Sequence, residues 1–190
     1  MKMEYKNIKT PDELLKFMDT NISYGYLGND GIIYKPDTPN FNDYWYDKYI
    51  LSTTEDILKT GVGNCFDQTE FEREWFINNN YEIKVFYHMV NLPYVNNYSA
   101  HSFLVYKKGD KWCFFEHAWE ELRGIHEFDT LGELLKFEYD ENYKELKKQN
   151  IKDDELSYFE LREIDKPKPH LSAKEYIDFC INSTKLNSDN

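Results

Sequence analysis

The chain has 190 residues and a formal net charge of −12 at pH 7, so it lacks the basic surface that binding to nucleic acid or an anionic membrane requires. This length is enough for one domain with a substantial core, and we expect residues 1–190 to form a single domain. No apolar run is long enough to cross a bilayer and the first residues do not resemble a signal peptide, so we expect a cytoplasmic protein. The composition carries no prediction about the oligomeric state.

The first predicted helix begins after residue 10. Thr10 and Glu13 form a capping box, and Pro11 suits the first turn of a helix. The apolar residues that follow have helical spacing, which predicts a helix over about 11–18.

A turn-rich segment and a short helix follow. Residues 21–43 contain several glycines and prolines, and a short strand is expected at 31–34. The aromatic and aliphatic residues at 44–46 and 49–51 are expected to anchor this loop to the core. Residues 52–58 predict a short helix that Gly61 ends.

The longest uninterrupted pattern of the first half begins at Cys65. No proline or glycine occurs in residues 65–78, which predict a helix. The acidic residues of this helix are expected on a solvated face: Asp67, Glu70, Glu72 and Glu74. Residues 81–90 alternate between the two faces of a strand, which predicts the first long strand.

The second half begins with a predicted hairpin. Residues 92–99 predict a loop, and residues 100–106 and 111–115 predict two strands joined by a tight turn around Gly109. Strands joined in this way are antiparallel neighbours.

The remaining elements alternate between helix and strand. A capping box at 130–133 opens a helix that extends to about Lys148, and residues 155–164 predict a strand. Ser172 caps a last helix, and the chain is expected to fray from about Lys185. This order of helices, then strands, then both predicts one α+β domain rather than repeated βαβ units.

Cys65 is the candidate nucleophile. Two glycines, Gly61 and Gly63, loosen the backbone ahead of it, and the positive end of the helix macrodipole favours the thiolate over the thiol. The other cysteines, Cys113 and Cys180, lie in apolar patterns and are expected to be buried core residues. The three cysteines are widely spaced without a Cys-x-x-Cys pair, so they do not predict a disulfide framework.

His101 and Glu116 are the candidate base and orienting acid, because the predicted hairpin brings them to one face. If the turn is 108–109, His101 lies directly opposite Glu116; if it is 109–110, the two are diagonal neighbours on the same face. A turn of three residues would place them on opposite faces. Two of the three simplest registers therefore predict contact between the two side chains.

These residues predict covalent catalysis by cysteine. His101 takes the proton of Cys65 and later gives one to the leaving group, while Glu116 orients the imidazole; the thiolate attacks a carbonyl and forms a thioester. The backbone N–H of Cys65, at a helix start, is one candidate oxyanion donor. Asn64 and residues 24–26 are candidates for a second donor.

Three segments together resemble the transglutaminase-like superfamily. They are Gly-Asn-Cys-Phe-Asp at 63–67, Ala-His-Ser-Phe-Leu-Val-Tyr at 100–106 and Lys-Trp-Cys-Phe-Phe-Glu-His-Ala-Trp at 111–119. That superfamily has Gly-x-Cys at a helix start, a His on a following strand and an Asp after a Trp on the next strand. The resemblance covers residues 61–119 and places the motif core at about 52–128.

The resemblance implies a papain-like core in which the nucleophile helix packs on an antiparallel sheet. It assigns Cys65 as nucleophile, His101 as base and Glu116 as acid. The chain departs from the pattern at Glu116, because the acid of the superfamily is usually Asp; a side chain longer by one methylene requires a slightly different placement of the strands.

The resemblance leaves several functions open. Amide hydrolysis, as in a peptidase or amidase, and transfer to an amine, as in a transglutaminase, both use the same residues on a peptide, protein or small amide. Tyr26 and Trp119 are candidates to line the substrate cleft. A binding module that kept the fold without activity is the alternative from another class.

A zinc site is the chemical rival to cysteine catalysis. Cys65, Cys113, His101 and His117 are suitable ligand types, but no pair has the close spacing of structural zinc ligands. Cys113 also falls on the opposite strand face from Glu116. We therefore predict neither a metal nor another cofactor.

Overall fold

A computed structural model describes residues 4–90 and 100–186. These residues form a mixed α+β fold, which confirms the predicted class. The helices are α1 (Pro11–Asn21), α2 (Phe41–Lys48), α3 (Thr54–Thr60), α4 (Cys65–Asn78), α5 (Leu131–Lys148) and α6 (Ala173–Ile181). The strands are β1 (Ser23–Tyr24), β2 (Tyr26–Leu27), β3 (Ile33–Tyr34), β4 (Val62–Gly63), β5 (Ile83–Val90), β6 (Ala100–Lys108), β7 (Lys111–Glu116), β8 (Gly124–Phe128), β9 (Phe159–Glu163) and β10 (Thr184–Lys185). The loop expected at 92–99 lies outside the described residues.

The main sheet has six antiparallel strands in the order β10-β9-β5-β6-β7-β8. Two small strand pairs lie apart from it, β1 with β4 in parallel and β2 with β3 in antiparallel orientation. In the β6–β7 hairpin Lys108 lies opposite Lys111, so the turn consists of residues 109–110, and Gly109 adopts a positive φ of 63°. The predicted hairpin is confirmed, with the second of the two registers considered.

Helices cover both faces of this sheet. On one face Leu104 and Phe115 join the core that contains the buried residues of α1, α4 and α6. On the other face Phe103 and Phe114 pack with Leu134 of α5. This helix–sheet–helix layering follows from the alternation of side chains along strands that are apolar on both faces.

The helix starts predicted from the capping residues Thr10, Thr130 and Ser172 are confirmed, and α3 begins within the segment 52–58 that was predicted as a helix. Thr10, Thr53, Thr130 and Ser172 each occupy the N-cap of a helix and form a reciprocal capping box with the residue three positions later. Each box satisfies two backbone or side-chain donors at the helix start, which is why this short pattern is a strong local signal.

The segment expected to be an anchoring loop contains α2. Its N-cap, Asn40, has a φ of 61° and makes no side-chain cap, and no residue of the helix is buried, so neither usual helix signal is present. The anchoring prediction is confirmed for Tyr49 and Leu51, which are buried. It is wrong for Tyr44 and Tyr46, which are exposed on α2.

The strand predicted over 155–164 is shorter in the structure. Its first part is a single 3₁₀ turn at Glu155–Tyr158, and only β9 pairs in the sheet. The turn brings Leu156 against Val90 and Leu146, so the apolar residue is accommodated by packing rather than by strand alternation.

Two short edge strands were not predicted. β8 mixes partly buried and exposed residues without an apolar alternation, as is usual for an edge. Lys185 was expected to be frayed, but it pairs with Arg162 as part of β10.

The expected solvated face of α4 is wrong. Asp67 and Glu72 are buried, and the Glu70 side chain is only 10% exposed because it pairs with Arg73. The helix lies beneath the sheet and between other helices, so even its polar positions face protein. Among the described residues no helix is long and apolar enough to span a membrane.

Candidate active site

Cys65 is placed by the strand pair β1–β4. Gly61 ends α3 with a positive φ of 69°, and the chain continues into β4, where Gly63 lies opposite Tyr24. A Cβ on Gly63 would lie 3.1 Å from Cβ of Asp67, so a side chain at this position would fit only if the first turn of α4 shifted by a few tenths of an ångström. The two glycines thus direct the backbone into a defined path rather than loosen it.

Asn64 caps the helix that Cys65 begins. Its Oδ1 accepts hydrogen bonds from the backbone N–H groups of Phe66 at 3.0 Å and Asp67 at 3.1 Å, and its own N–H donates to Asp67 Oδ2 at 3.0 Å. The cap therefore does not use the N–H of Cys65, the first oxyanion candidate. The Asn64 backbone N–H and side-chain oxygen are engaged, which leaves only its side-chain amide group for the second oxyanion role.

Asp67 ties this turn to the preceding chain. Its Oδ1 accepts the Tyr49 hydroxyl at 2.9 Å and the Ser52 N–H at 2.8 Å, in addition to the bond from Asn64. Burial raises the pKa of Asp67 to about 7, against the opposing effect of these hydrogen bonds. One fully buried carboxyl group thus connects the segment 49–52 to the turn that begins α4.

His101 and Glu116 are in contact, as the second predicted register requires. His101 Nε2 lies 2.7 Å from Glu116 Oε2, and the other carboxylate oxygen accepts the Trp119 backbone N–H at 2.8 Å. Glu116 is 3% exposed. A carboxylate held by two donors away from water is suited to orienting an imidazole.

The imidazole of His101 also interacts with the Cys65 thiol. Burial lowers the pKa of His101, but the Glu116 charge and the interactions with Cys65 and Glu116 outweigh it and hold this pKa well above its usual range. A histidine in this environment favours the imidazolium form. Because Nε2 faces Glu116, Nδ1 remains for the sulfur.

Glu72 is a neighbour of this pair that the sequence did not single out. It is buried on α4, and burial followed by the Glu116 charge holds its pKa well above the usual range, although His101 acts in the opposite direction. The neutral form is therefore favoured, so Glu72 does not compete with Glu116 for the imidazolium.

Tyr24 reaches the sulfur from the other side. Its side chain interacts with the Cys65 thiol, and the β1–β4 pairing explains its place, since Tyr24 lies opposite Gly63. Desolvation, followed by the charges of Cys65 and Asp67, holds the pKa of Tyr24 well above its usual range, so the hydroxyl remains a donor. Residues 24–26 were one of two candidates for the second donor, and of these the structure brings the Tyr24 side chain next to Cys65.

His117 is not in contact with Cys65. Its Nδ1 lies 2.6 Å from Gln68 Oε1, and Gln68 donates from Nε2 to the Gly63 carbonyl at 2.7 Å. Burial and the nearby Arg123 charge lower the pKa of His117 to about 4, so the neutral ring donates from Nδ1. This arrangement supports the turn before Cys65, and the sequence order alone did not reveal it.

The two candidate cleft residues differ in their surroundings. Tyr26 is fully buried, stacks on Tyr34 and donates its hydroxyl to the Phe41 carbonyl at 2.9 Å, so the prediction that it lines a cleft is wrong. Trp119 is partly exposed, and its ring meets the His101 ring edge-on at 5.7 Å between centroids. Trp119 therefore covers one side of the His101 imidazole.

An open pocket of about 500 Å³ adjoins the site through Tyr24. The Tyr24 side chain is 41% exposed, so it borders solvent at one end and reaches Cys65 with its hydroxyl. The pocket is lined by Tyr24, Pro36, Thr38, Asn40, Phe41, Asn42 and Asp43. Carboxylate, amide and aromatic groups line it, and none of these residues is cationic.

Comparison of the chain with protein-family models, curated protein sequences and solved structures finds no match. Assignment of a function therefore depends on the chemistry of the site.

The remaining cysteines lie away from this site. Cys113 and Cys180 are fully buried, which confirms their expected core positions. Within residues 4–90 and 100–186, no three His, Cys, Asp or Glu side chains are arranged to hold a metal ion. A thiol, an imidazole and a carboxylate in consecutive contact at a helix N-terminus are the components of nucleophilic catalysis.

Proposed function

We propose that this protein catalyses acyl transfer from an amide through a thioester on Cys65, with a papain-like core of the transglutaminase-like superfamily. The contact of His101 with both Cys65 and Glu116 is the observation that supports this most strongly. The helix start, the His on β6 and the acid on β7 follow the order of that superfamily.

Acylation begins from the thiolate–imidazolium pair. The Cys65 sulfur attacks the carbonyl carbon, a C–S bond forms and the carbonyl electrons move to the oxygen. When the tetrahedral intermediate collapses, the C–N bond breaks and the leaving nitrogen takes the proton from His101. The amine departs and the acyl group remains on Cys65 as a thioester, while Glu116 keeps the ring in place.

Two groups are suited to stabilise the oxyanion. The N–H of Cys65 lies at the positive end of α4 and is not used by the Asn64 cap. The Tyr24 hydroxyl, already in contact with the sulfur, is the second donor. The first donor comes from α4 and the second from β1, so the oxyanion is held between the strand pair and the helix.

Deacylation needs a nucleophile that can lose a proton to His101. Water gives hydrolysis, and a primary amine gives a new amide; in both cases the C–S bond breaks and the thiolate leaves. The pocket beside Tyr24 is suited to the part of a peptide, protein or small amide that flanks the scissile bond.

Alkylation by iodoacetamide tests the nucleophile without a known substrate. Cys65 is 7% exposed, whereas Cys113 and Cys180 are fully buried and serve as internal controls in the same mass spectrum. We expect iodoacetamide to alkylate Cys65 at pH values well below about 8.5, the pKa of a free thiol. Replacement of His101 by Ala should remove this early reactivity. Reaction of Cys65 only at ordinary thiol pH, in a folded protein, would overturn the proposed nucleophile.

Substrate assays then separate the reactions. Amide cleavage and incorporation of a labelled primary amine should both be lost in Cys65→Ala if the thioester is required. Activity that survives this substitution contradicts the mechanism. A ligand that binds Cys65→Ser as tightly as wild type, without turnover of any amide, would support the non-catalytic module instead.

A further inference from the structure

A hydrogen bond joins α4, which begins at Cys65, to β6, which carries His101. Thr69 Oγ1 donates to the Ser102 backbone carbonyl at 2.9 Å. Thr69 follows Cys65 by four residues and so lies on the same helix face, and Ser102 directly follows His101. Thr69 is 2% exposed and Ser102 is 1% exposed, so the bond lies in the interior. It therefore connects the two elements that supply the candidate nucleophile and the candidate base.

The Ser102 carbonyl lies where β6 has lost a neighbouring strand. Lys107 directs its N–H to the Glu82 carbonyl, on the β5 side of the strand. Backbone groups alternate between the two sides along a strand, so those of Ser102 point away from β5, toward the β7 side. The pairing of β6 with β7 ends at Leu104, two residues away. Thr69 therefore supplies the donor that the sheet no longer provides to this buried carbonyl.

Thr69 differs from other threonines in helices. The hydroxyls of Thr20 on α1 and Thr60 on α3 donate to the carbonyl four residues earlier in their own helix, at 2.9 and 2.8 Å. This is the usual local bond of a helical threonine. The Thr69 hydroxyl instead donates to a strand 33 residues away. Because threonine has a low helix propensity, its place inside α4 is explained by the bond to β6 rather than by helix stability.

Apolar packing accounts for further contact between α4 and β6. Phe76 and Tyr106 meet at 4.6 Å between ring centroids, and Phe71 and Leu104 belong to the same core. Apolar contacts are non-directional, whereas a hydrogen bond weakens steeply outside a narrow range of distance and angle. The Thr69 bond is therefore the contact that fixes the position of α4 against β6.

The position of α4 determines how close the sulfur is to the imidazole. Glu116 holds His101 through the 2.7 Å contact with Nε2, but it belongs to β7 and does not fix the distance to α4. The attraction between a thiolate and an imidazolium falls with distance. A small displacement of α4 would therefore weaken the interaction of Cys65 with His101 while the contact of His101 with Glu116 remained.

We infer that Thr69 is a positioning residue for the proposed reaction: its hydroxyl holds α4 against β6 at the spacing at which Cys65 and His101 interact. The inference rests on the proposed function of Cys65. Thr69 acts through the Ser102 backbone and transfers no proton. Its hydroxyl carries the role, rather than its shape, so serine should replace it and valine should not.

The test is the pH dependence of Cys65 alkylation by iodoacetamide in single variants. In Thr69→Val, which has the same shape without the donor, we expect the midpoint to rise by about one pH unit and the rate at about pH 6 to fall by about ten-fold. Thr69→Ser, which keeps the hydroxyl, should retain the wild-type profile. The titratable groups around the pair are the same in all variants, so the profile reports the spacing; these groups are Tyr24, Asp67, Glu72, His88 and Glu116.

Two controls separate positioning from a general loss of stability. Tyr176→Phe removes the hydroxyl of α6 that lies 2.9 Å from Ser102 Oγ and keeps the ring that packs on Phe66 at 4.6 Å between centroids. Because the Thr69 bond remains, the alkylation profile should not change, although the protein becomes less stable in urea. Thr20→Val makes the same chemical change as Thr69→Val on another helix and should leave the profile unchanged.

Thr69→Ala is the second variant if the valine variant does not fold, because a water molecule can then occupy the vacated space and bond to the Ser102 carbonyl. The same rise of the midpoint is expected. The inference is overturned if a folded variant without the hydroxyl keeps the wild-type profile, or if Thr69→Ser loses that profile as fully as Thr69→Val. It is also overturned if Tyr176→Phe moves the midpoint as far as Thr69→Val.

The wild-type profile reports the proposed function separately. Alkylation of wild-type Cys65 well below the usual thiol pH, together with the same profile in Thr69→Val, would leave the nucleophile in place and reject only the role of Thr69. Alkylation of wild-type Cys65 only at ordinary thiol pH would reject the proposed function, and the role of Thr69 with it.

Discussion

The length of the Glu116 side chain matches the register of the hairpin. Leu104 lies opposite Phe115, so continuing the pairing by one residue places Glu116 opposite Phe103 and diagonal to His101. Diagonal neighbours are farther apart than directly opposed ones, and the additional methylene of Glu relative to Asp covers part of that distance. The departure from the superfamily pattern is thus consistent with a 2.7 Å contact to the imidazole.

Tyr24 gives a prediction that separates acylation from alkylation. Attack on an ester creates an oxyanion, whereas alkylation by iodoacetamide does not. If the Tyr24 hydroxyl is an oxyanion donor, Tyr24→Phe should slow acylation of Cys65 by p-nitrophenyl acetate by about 100-fold and leave the alkylation rate nearly unchanged. Release of nitrophenolate and mass spectrometry of Cys65 measure the two rates.

The matched control for this prediction is Tyr46→Phe. Tyr46 is 49% exposed on α2, and its loss should alter neither rate. Equal slowing of both reactions in Tyr24→Phe would indicate that the hydroxyl only positions the sulfur, which contradicts the oxyanion role.

The catalytic candidates were predictable to different degrees. His101 and Glu116 could be paired because the register of a tight hairpin follows from counting residues. Tyr24 could only be placed within residues 24–26, since β1 and β4 are two residues long and carry no pattern.

At the scale of the element, α4 is a helix with carboxyl groups on its buried surface. Burial raises the pKa values of Asp67, Glu70 and Glu72, and at Glu70 the Arg73 charge acts in the opposite direction. A helix of this kind has no apolar stripe, which is why its acidic residues suggested a solvated face. Its polar groups contact residues around Cys65, and its aromatic residues pack in the core.

Asp67 gives a prediction about the pH dependence of stability. Its pKa in the folded protein is about 7, above the ordinary value of 3.8, so the folded state holds this proton more tightly than the unfolded state. This contribution to stability is complete below about pH 4 and is lost as the pH rises through 7. The free energy of unfolding should therefore fall less between about pH 4 and about pH 8 in Asp67→Asn than in wild type.

Urea denaturation at both pH values measures this difference. At the lower pH the variant should also be less stable than wild type by about 1–3 kcal/mol, because an amide NH₂ cannot accept the Asn64 N–H. Glu74→Gln, at a partly buried position of the same helix, is the control. Parallel pH profiles for wild type and Asp67→Asn would contradict the raised pKa.

The elements themselves were largely predictable where a local signal exists. Capping residues located the starts of α1, α5 and α6, alternation located β5, and the tight turn around Gly109 located β6 and β7. α2 has an uncapped start at Asn40, and β8 is an edge strand without alternation, so tertiary packing decides both. Apart from the pairing of β6 with β7 in the hairpin, the sequence did not predict the order of strands in the sheet.

At the scale of the whole molecule, the net charge of −12 acts on any reagent that approaches Cys65. At low ionic strength a cation is attracted to the protein and an anion is repelled, and salt screens both effects. The pocket beside Tyr24 adds Asp43 and no cation to this field.

Two methanethiosulfonate reagents of similar size test this field. The trimethylammonium-ethyl reagent should modify Cys65 several-fold faster than the sulfonatoethyl reagent at low salt, and the ratio should approach one as NaCl is raised to about 0.5 M. A small model thiol measured in parallel corrects for intrinsic reactivity. If the ratio of the two rates does not change with salt, the net charge does not influence the modification rate of the Cys65 sulfur.

The strand pair β1–β4 determines which fragments of the chain can contain the complete site. The motif core at 52–128 contains Cys65, His101 and Glu116 but lacks the strand that carries Tyr24 and supports Gly63. It also lacks Tyr49, whose hydroxyl donates a hydrogen bond to Asp67. A fragment cut at the motif boundaries therefore lacks the segment that carries Tyr24 and Tyr49. A graft of Cys65, His101 and Glu116 onto another scaffold lacks the same segment, which packs beside the nucleophile.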